Sequence, residues 1–283
     1  MGRERNPLLT GYALLVYIFL FAPIAILIIF SFNDTEDSFA WTGFTLDWYP
    51  TLFANEDMID ALLKTLEVAL VAVTVSTILG TFLGLGLARL KTRYVGGIAE
   101  TLILLPMVAP EIILGISLLL LFSQVFSANG SLAQISIAHI TFCLSYVAVV
   151  VRARAVNLDP HLQEAARDLG ASALGAFRYV TLPLLLPAIA AGAMLAFALS
   201  FDDLVVTTFN TGPGSSTLPI YLYSRIKFGV TPEINAISTI IVAVTGVAIL
   251  LAWRFGQTRR EALPEAESAD EEETRGEPVP VAG

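Results

Sequence analysis

Cysteine and histidine are almost absent from this chain of 283 residues, which has one cysteine and two histidines. A single cysteine, Cys143, excludes an intrachain disulfide. The histidines, His139 and His161, form no cluster of metal ligands, so we expect no metal site. A phosphate-binding GxxxxGK[ST] motif is also missing, which excludes ATP hydrolysis by such a loop of this chain. We therefore expect neither a bound cofactor nor a catalytic residue here.

Charged residues are also scarce, at 14% of the chain, whereas hydrophobic residues make up 55% and the mean hydropathy is +0.73. This composition is typical of a polytopic membrane protein. The net charge of −9 is concentrated near the end, since eight acidic residues lie between Glu261 and Glu277. We predict a membrane domain over residues 1–260, followed by an acidic, disordered cytoplasmic tail over residues 261–283.

Long apolar runs predict six membrane-spanning helices. Pro106 and Pro110 predict that the third is kinked or broken within the membrane. Three glycines in the second, Gly80, Gly84 and Gly86, have the spacing of a closely packed helix face. The predicted spans are Gly11–Phe32, Ala61–Leu90, Ile98–Phe126, Leu132–Val151, Leu182–Phe209 and Ile234–Phe255.

The distribution of basic residues predicts the orientation of these spans. Of the sixteen lysines and arginines, only Lys64, Arg225 and Lys227 fall in segments that this arrangement places outside. Because cytoplasmic loops of membrane proteins carry an excess of Lys and Arg, both termini are expected in the cytoplasm. The segment Asn33–Asp60, with seven acidic residues and no basic one, is expected outside.

Carboxylates within the apolar spans are the clearest candidates for function. Asp202 and Asp203 lie in the predicted fifth span, and Glu111 follows Pro110 in the third. Placing an ionised carboxylate at the bilayer centre costs about 2.5–3.5 kcal/mol of free energy even on insertion scales. A functional or structural role is therefore expected for each of these residues. One hypothesis is that they line a pathway for a cation. The alternatives are that they cap a broken helix or pair with basic residues at the outer boundary.

Four further residues are weaker candidates. Ser200 precedes the aspartate pair and either faces the pathway or bonds to its own backbone. Trp48 either anchors the chain at the membrane interface or stacks on an alkylammonium group. His139 and Cys143, one turn apart on the predicted fourth span, are interpreted as packing residues rather than ligands.

A polar segment, residues 159–183, separates two apolar blocks. Asp159-Pro160 predicts a helix start, and Gly170 is predicted to interrupt the helix and allow a bend. Apolar and small residues then recur at three- and four-residue steps, which predicts a short amphipathic helix at the membrane surface. They are Leu162, Ala165, Ala166, Leu169, Ala173 and Phe177. One interpretation is a connector that only turns the chain.

The spacing within this segment resembles the EAA loop of importer-type ABC permeases. The resemblance is carried by Glu164-Ala165-Ala166, Gly170 and Leu182-Pro183. It implies a coupling helix that docks into a cleft on an ATPase subunit. The residues to which it assigns this role are Glu164, Ala165, Ala166, Asp168, Gly170, Leu182 and Pro183.

Longer segments resemble permeases of the spermidine/putrescine importer family, C type. They include WTGFTLDWY (Trp41–Tyr49), PEIILGISLLLLF (Pro110–Phe122), LSFDDLVVTTFNTGPG (Leu199–Gly214) and LPIYLYSRIKFGVTPEINA (Leu218–Ala236). The resemblance implies an all-α, six-helix type I importer permease of MetI-like architecture in a prokaryotic inner membrane. It also places Trp48, Glu111, Ser200, Asp202 and Asp203 where polar pathway residues of the family are expected.

The implied partners are a homologous B-type permease, two copies of an ATPase that carries ATP and Mg²⁺, and an extracytoplasmic polyamine-binding protein. The lipid bilayer surrounds the complex, and no nucleic acid is expected. Two alternatives stay open. One is the same architecture importing another organic cation, a modified amino acid or thiamine. The other is ion-coupled secondary transport. An intramembrane aspartyl protease is disfavoured, because it needs aspartates from two helices and Asp202 and Asp203 are adjacent on one predicted helix.

Overall fold

The computed structural model describes residues 7–35, 40–90, 93–126, 130–159, 161–227 and 229–261. The predicted disordered tail beyond residue 261 lies outside them. The described residues form twelve α-helices: α1 (Pro7–Phe30), α2 (Trp48–Ala54), α3 (Glu56–Arg89), α4 (Arg93–Val108), α5 (Glu111–Val125), α6 (Leu132–Ala155), α7 (His161–Asp168), α8 (Ala173–Ala176), α9 (Leu182–Phe201), α10 (Val205–Asn210), α11 (Leu218–Ile226) and α12 (Pro232–Glu261).

The prediction of an all-helical membrane protein is confirmed. Within the described residues, four helical stretches are long and apolar enough to cross a bilayer: Leu8–Phe30, Glu56–Arg89, Leu132–Ala155 and Ala173–Phe201. A fifth span is formed if the bent pair Gly96–Val108 and Glu111–Val125 is counted as one. The apolar part of α12, Pro232–Ala248, is shorter.

The third predicted span is broken, as its prolines indicated. α4 and α5 meet at an angle of 105°, and Pro110 precedes the first residue of α5 with φ −56° and ψ 130°. Proline has no amide hydrogen for the helix ladder and disfavours helical backbone in the residue before it. The break therefore places Glu111 at the start of a new helix.

The predicted fifth span is wrong at its carboxyl end. The sequence pattern extended it to Phe209, but α9 stops at Phe201 and α10 starts at Val205. The apolar pattern continues through the break, so hydropathy does not reveal it. Asp202 and Asp203 consequently lie between two helices rather than inside one, and the argument from adjacent positions on one helix does not apply.

The chain divides into two compact units, Met1–Ala54 with Val230–Gly283, and Asn55–Gly229. In the first unit, α12 contacts both α1 and α2. In the second unit, α6 is the central helix, because it packs against α3, α4, α5, α9 and α10. Its buried side chains share a core with α5, α9 and α10, formed by Ala138, Phe142, Cys143, Val147, Val151, Leu118, Phe122, Leu185, Ala196 and Val206.

Two glycines allow α3 and α6 to approach closely. A Cβ atom on Gly84 would lie 2.5 Å from the Ala148 carbonyl oxygen, and one on Gly80 would lie 2.8 Å from the Val147 Cβ. At Gly86 an added Cβ would meet no described atom within 4 Å. The prediction of close packing is thus confirmed for two of the three glycines.

We expect Gly84→Ala to destabilise the permease, whereas Gly86→Ala is neutral or slightly stabilising. The methyl group at position 84 would overlap backbone of α6, and overpacking of this kind costs about 1–3 kcal/mol. At position 86 the same methyl meets open space, and alanine favours the helix by about 0.5–1 kcal/mol over glycine. Thermal unfolding in detergent measures the stability of both variants. Equal unfolding temperatures for the two variants would contradict this packing.

Candidate functional site

The break between α9 and α10 is built by the side chain of Asp203. Its carboxylate accepts hydrogen bonds from the backbone N–H of Val206 at 3.3 Å and of Thr207 at 2.7 Å. It also accepts the Thr207 hydroxyl at 2.7 Å. A carboxylate in this position satisfies the amide donors in the first turn of a helix. Asp203 therefore caps α10, which was one of the structural alternatives considered for it.

Behind Asp203 lies a buried polar cluster centred on His139 of α6. The ring Nδ1 is 2.8 Å from Ser200 Oγ, and Nε2 is 2.9 Å from Thr207 Oγ1 and 3.3 Å from Asp203 Oδ2. His139, Ser200 and Thr207 are each at most 2% exposed. His139 is buried as the sequence interpretation required, but it is a polar link between helices and not simply a packing residue. Cys143 is also buried, with its thiol 3.5 Å from the Ala196 carbonyl oxygen.

In front of Asp203 is a pocket of about 270 Å³. It brings together the three carboxylates that the sequence singled out, since Glu111 comes from the first turn of α5 and Asp202 and Asp203 from the α9–α10 break. The other lining residues are mostly apolar: Pro106, Leu114, Phe142, Tyr146, Leu199, Leu204, Val205 and Val206. Two helix breaks that are far apart in sequence thus meet at one acidic pocket.

The three carboxylates differ in their surroundings. The Asp203 side chain is 7% exposed and accepts hydrogen bonds from Val206 and Thr207. Asp202 and Glu111 are exposed, and neither forms an ion pair or a hydrogen bond to another side chain in the described part of the chain. Among the described residues, neither carboxylate pairs with Arg225 or Lys227, which lie over the rings of Tyr221 and Tyr223. Asp202 and Glu111 are therefore the carboxylates available to a ligand.

Two of the predicted pathway residues are placed elsewhere. Ser200 does not line the acidic pocket, because its hydroxyl is buried against His139. Trp48 belongs to the first unit, where its indole N–H donates to the Asn33 carbonyl at 2.7 Å. Asn33 in turn accepts the amide of Thr42 at 2.9 Å. These bonds tie Trp48 to the segment after α1.

We expect Asp203→Ala to lower the stability of the permease, and Asp202→Ala to have little effect on it. Loss of a helix-capping side chain costs about 0.5–2 kcal/mol, and the Thr207 hydroxyl would lose its acceptor as well. The Asp202 side chain makes no such bond, so its removal leaves the helices unchanged. Thermal unfolding in detergent gives both values. A larger loss for Asp202→Ala would contradict the assignment of the cap to Asp203.

The second candidate site is the polar segment between α6 and α9. The Asp159 carboxylate accepts the amide of His161 at 2.9 Å, so the predicted helix start is confirmed, although Pro160 lies outside the described residues. α7 ends at Asp168, and Gly170, two residues later, has a φ of +91°, in the left-handed region. The amides of Gly170 and Ala171 bond back to the carbonyls of Arg167 and Ala166, which is the Schellman arrangement of a helix end.

The prediction of one amphipathic helix through Phe177 is therefore wrong. A second helix, α8, starts after Ser172, whose hydroxyl accepts the amide of Gly175 at 3.1 Å. A π-helical turn, Phe177–Thr181, then joins α8 to α9 without a break. Gly170 has left-handed backbone that residues with a Cβ atom adopt only with strain. The interruption predicted at Gly170 is thus a helix end.

Several residues of this segment are exposed. Leu169 is 90% exposed, Leu174 72%, and the Glu164 side chain 72%. Ala165, Asp168 and Pro183 are also exposed, and Ala166 and Leu182 are half-buried. Behind α7 lies a cavity of about 580 Å³ between the ends of α3 and α6 and the start of α9. Within the segment, the Gln163 amide donates to the Thr181 hydroxyl, which ties α7 to the start of α9.

Comparisons with known proteins identify the family. Residues 76–257 match the family model "Binding-protein-dependent transport system inner membrane component". The putrescine transport system permease protein PotI of Escherichia coli K12 is 42% identical over 255 residues, which are 88% of this chain and 90% of PotI. The spermidine/putrescine transport system permease protein PotC of the same strain is 38% identical over 243 residues, 85% of this chain and 90% of PotC.

Solved structures show the same fold at lower identity. A bacterial ABC transporter involved in import of the acidic polysaccharide alginate aligns with a TM-score of 0.65 at 16% identity, covering 91% of this chain and 99% of that one. A bacterial alginate transporter in complex with its alginate pentasaccharide-bound periplasmic protein aligns with a TM-score of 0.67 at 19% identity, covering 88% and 93%. From these relatives and this fold, we conclude that the chain belongs to the inner-membrane permeases of binding-protein-dependent ABC importers, in the family of the putrescine and spermidine/putrescine permeases.

Proposed function

We propose that this chain is the permease subunit that passes polyamines, of the putrescine and spermidine class, across the inner membrane. The observation that carries the proposal is the acidic pocket, where Glu111 and Asp202, which have no ion pair within the described ranges, lie beside the capping carboxylate of Asp203. Its volume, about 270 Å³, is near the lower end of the range for small-molecule sites, about 300–1,000 Å³. The names of its relatives, a putrescine and a spermidine/putrescine permease, support the same substrate class.

The pocket suits a cation that must be released again. Two exposed carboxylates attract the ammonium groups of a polyamine, while apolar neighbours such as Leu114 and Leu199 contact its methylene chain. Transport requires a site that is favourable enough to enter and weak enough to leave. A few carboxylates at helix breaks meet this condition better than a closed cage of ligands.

For the whole permease we propose six spans with both termini in the cytoplasm. The bent pair α4 and α5 is then the third span, and α12 is the sixth. Residues 1–260 act as one transport domain, and residues 261–283 as a cytoplasmic tail. A homologous B-type permease completes the channel, and an extracytoplasmic binding protein delivers the polyamine.

We further propose that two ATPase subunits bind ATP and Mg²⁺ and drive the cycle, one of them docking on α7. The exposed residues of α7 and the turn after it, including Glu164, Ala165 and Leu169, form the docking surface. From there, movement passes through the Gln163–Thr181 bond and the π-helical turn into α9. Because α9 ends at Phe201, directly before Asp202, a shift of this helix changes the acidic pocket at its far end.

The test is the ATPase activity of the complex reconstituted with its binding protein. The panel contains putrescine, spermidine, other organic cations, a modified amino acid and thiamine. We expect stimulation only by binding protein loaded with the diamine or triamine. Stimulation by another solute alone would overturn the substrate class while leaving the family unchanged. ATP-independent uptake driven by an ion gradient would overturn the ABC mechanism.

A further inference from the structure

We infer that His139 is a positioning residue for the acidic pocket. It holds the α9–α10 break in the conformation that presents Asp202 to the substrate. The inference rests on the proposed function. His139 itself touches neither the pocket nor a substrate, because it is 1% exposed and is not among the pocket-lining residues. Its effect passes through the side chains on which the break depends.

His139 joins three parts of the second unit. It belongs to α6, its Nδ1 contacts Ser200 in the last turn of α9, and its Nε2 contacts Thr207 in α10. The same Nε2 lies 3.3 Å from the carboxylate that caps α10. One ring thus links the helix before the break, the cap and the helix after it to the central helix of the core.

The donors and acceptors of this cluster can be assigned in one consistent way. An ionised Asp203 only accepts, so the Thr207 hydroxyl donates to it at 2.7 Å. The Thr207 oxygen then accepts from the ring N–H at Nε2, which leaves Nδ1 to accept the Ser200 hydroxyl. Every polar group of the cluster is satisfied in this assignment. A buried group that loses its partner is costly, so the arrangement resists change.

Further contacts hold α10 on the side away from the cap. The Asn210 amide donates to the Val206 carbonyl at 2.8 Å and accepts from Gln134 of α6 at 3.2 Å. Gly115 of α5 allows the Phe209 ring to approach closely, since a Cβ there would lie 2.7 Å from it. α10 is thus fixed at its far end by α5 and α6. His139 and Asp203 decide where its first turn lies, and with it the residue before the cap, Asp202.

The test replaces His139 in the reconstituted complex by asparagine or by glutamine, whose side-chain amides extend to different distances from the backbone. Asparagine places its amide near the position of Nδ1 and retains only the Ser200 contact, whereas glutamine reaches the position of Nε2 and retains a donor for Thr207. We expect His139→Asn to raise the KM for putrescine uptake about tenfold with a smaller change in kcat. His139→Gln is expected to stay within about threefold of the unchanged chain in KM.

Cys143→Ala is the matched control, since Cys143 is equally buried one turn along α6, and its thiol bonds to the Ala196 carbonyl of α9 rather than to Ser200, Thr207 or the capping carboxylate. It is expected to lower the unfolding temperature without changing KM. Equal KM values for His139→Asn and the unchanged chain overturn the inference, as does the same KM change in Cys143→Ala. If His139→Asn does not assemble, Thr207→Val and Thr207→Ser decide the question. Only the valine variant, which lacks the hydroxyl, should raise KM, and an unchanged KM in Thr207→Val overturns the inference.

Failure of the proposed function gives a different result. In that case the unchanged complex takes up no polyamine. The same variants are then assayed for uptake of the solute that the panel identifies. Failure of the inference alone leaves polyamine uptake intact in the unchanged complex, with a KM that does not respond to His139.

Discussion

A permease carrying both Asp202→Asn and Glu111→Gln is expected to lose polyamine uptake by at least about 30-fold at sub-saturating substrate. The interaction of one carboxylate with one ammonium group at 4 Å is worth about 1 kcal/mol in water and about 4 kcal/mol at the effective dielectric of a protein surface. Two such interactions at the lower limit correspond to about 30-fold in affinity. Initial rates of radiolabelled putrescine uptake into proteoliposomes measure the effect.

Both substitutions keep the size of the side chain, and neither residue bonds another side chain in the described structure. Assembly with the partner subunits and the unfolding temperature should therefore not change. Glu67→Gln is the control: Glu67 is exposed on α3, its neutralisation removes one carboxylate charge, as each of the two pocket substitutions does, and it does not line the pocket. Uptake by the double variant equal to that of Glu67→Gln would show that the pocket is not on the substrate pathway.

Replacement of Leu169 by alanine is expected to weaken binding of the ATPase subunit about tenfold. This leucine is 90% exposed at the end of α7, which is unfavourable unless a partner covers it. Full burial of a leucine side chain contributes about 1.5–3 kcal/mol, and alanine retains the β-carbon, so a loss near the lower value follows. At 1.4 kcal/mol per factor of ten, this is about tenfold in affinity.

The affinity is measured by titrating the purified ATPase against immobilised permease in detergent. Ile137→Ala serves as the control, because Ile137 is 51% exposed near the amino end of α6, far along the helix from the polar segment. It removes a similar apolar side chain and should leave the affinity unchanged. Wild-type affinity in Leu169→Ala would contradict the proposed docking surface on α7.

Much of the architecture could be predicted from local sequence features. Long apolar runs indicate membrane helices wherever they occur, because the bilayer requires every backbone polar group to be bonded within the segment. Pro110 predicted the break before α5, since the missing amide hydrogen acts at the position of the proline itself. Gly80 and Gly84 likewise marked the close contact of α3 with α6.

The end of α9 could not be predicted in the same way. Beyond Asp202 and Asp203, the residues LVVTTF are as apolar as the helix before the break, so hydropathy averaged over this stretch does not show where the helix ends. The signal that was available is the spacing of Asp203 and Thr207, where the carboxylate accepts an amide and a hydroxyl four residues later. This pattern is common in sequences and specifies a cap only when the chain is held there.

His139 shows the same limit. A single histidine in an apolar span has many possible partners, and neither Ser200 nor Thr207, 61 and 68 residues away, is marked as one by the sequence. Composition and long apolar runs were enough to predict the helical membrane class. The cost of placing prolines and charges in a bilayer was enough to single out the broken third span and the three acidic residues. That Glu111, Asp202 and Asp203 meet in one pocket, while Ser200 is buried against His139, follows only from the tertiary structure. Such contacts depend on the packing of α5, α9 and α10 around α6, and packing joins residues that are far apart along the chain.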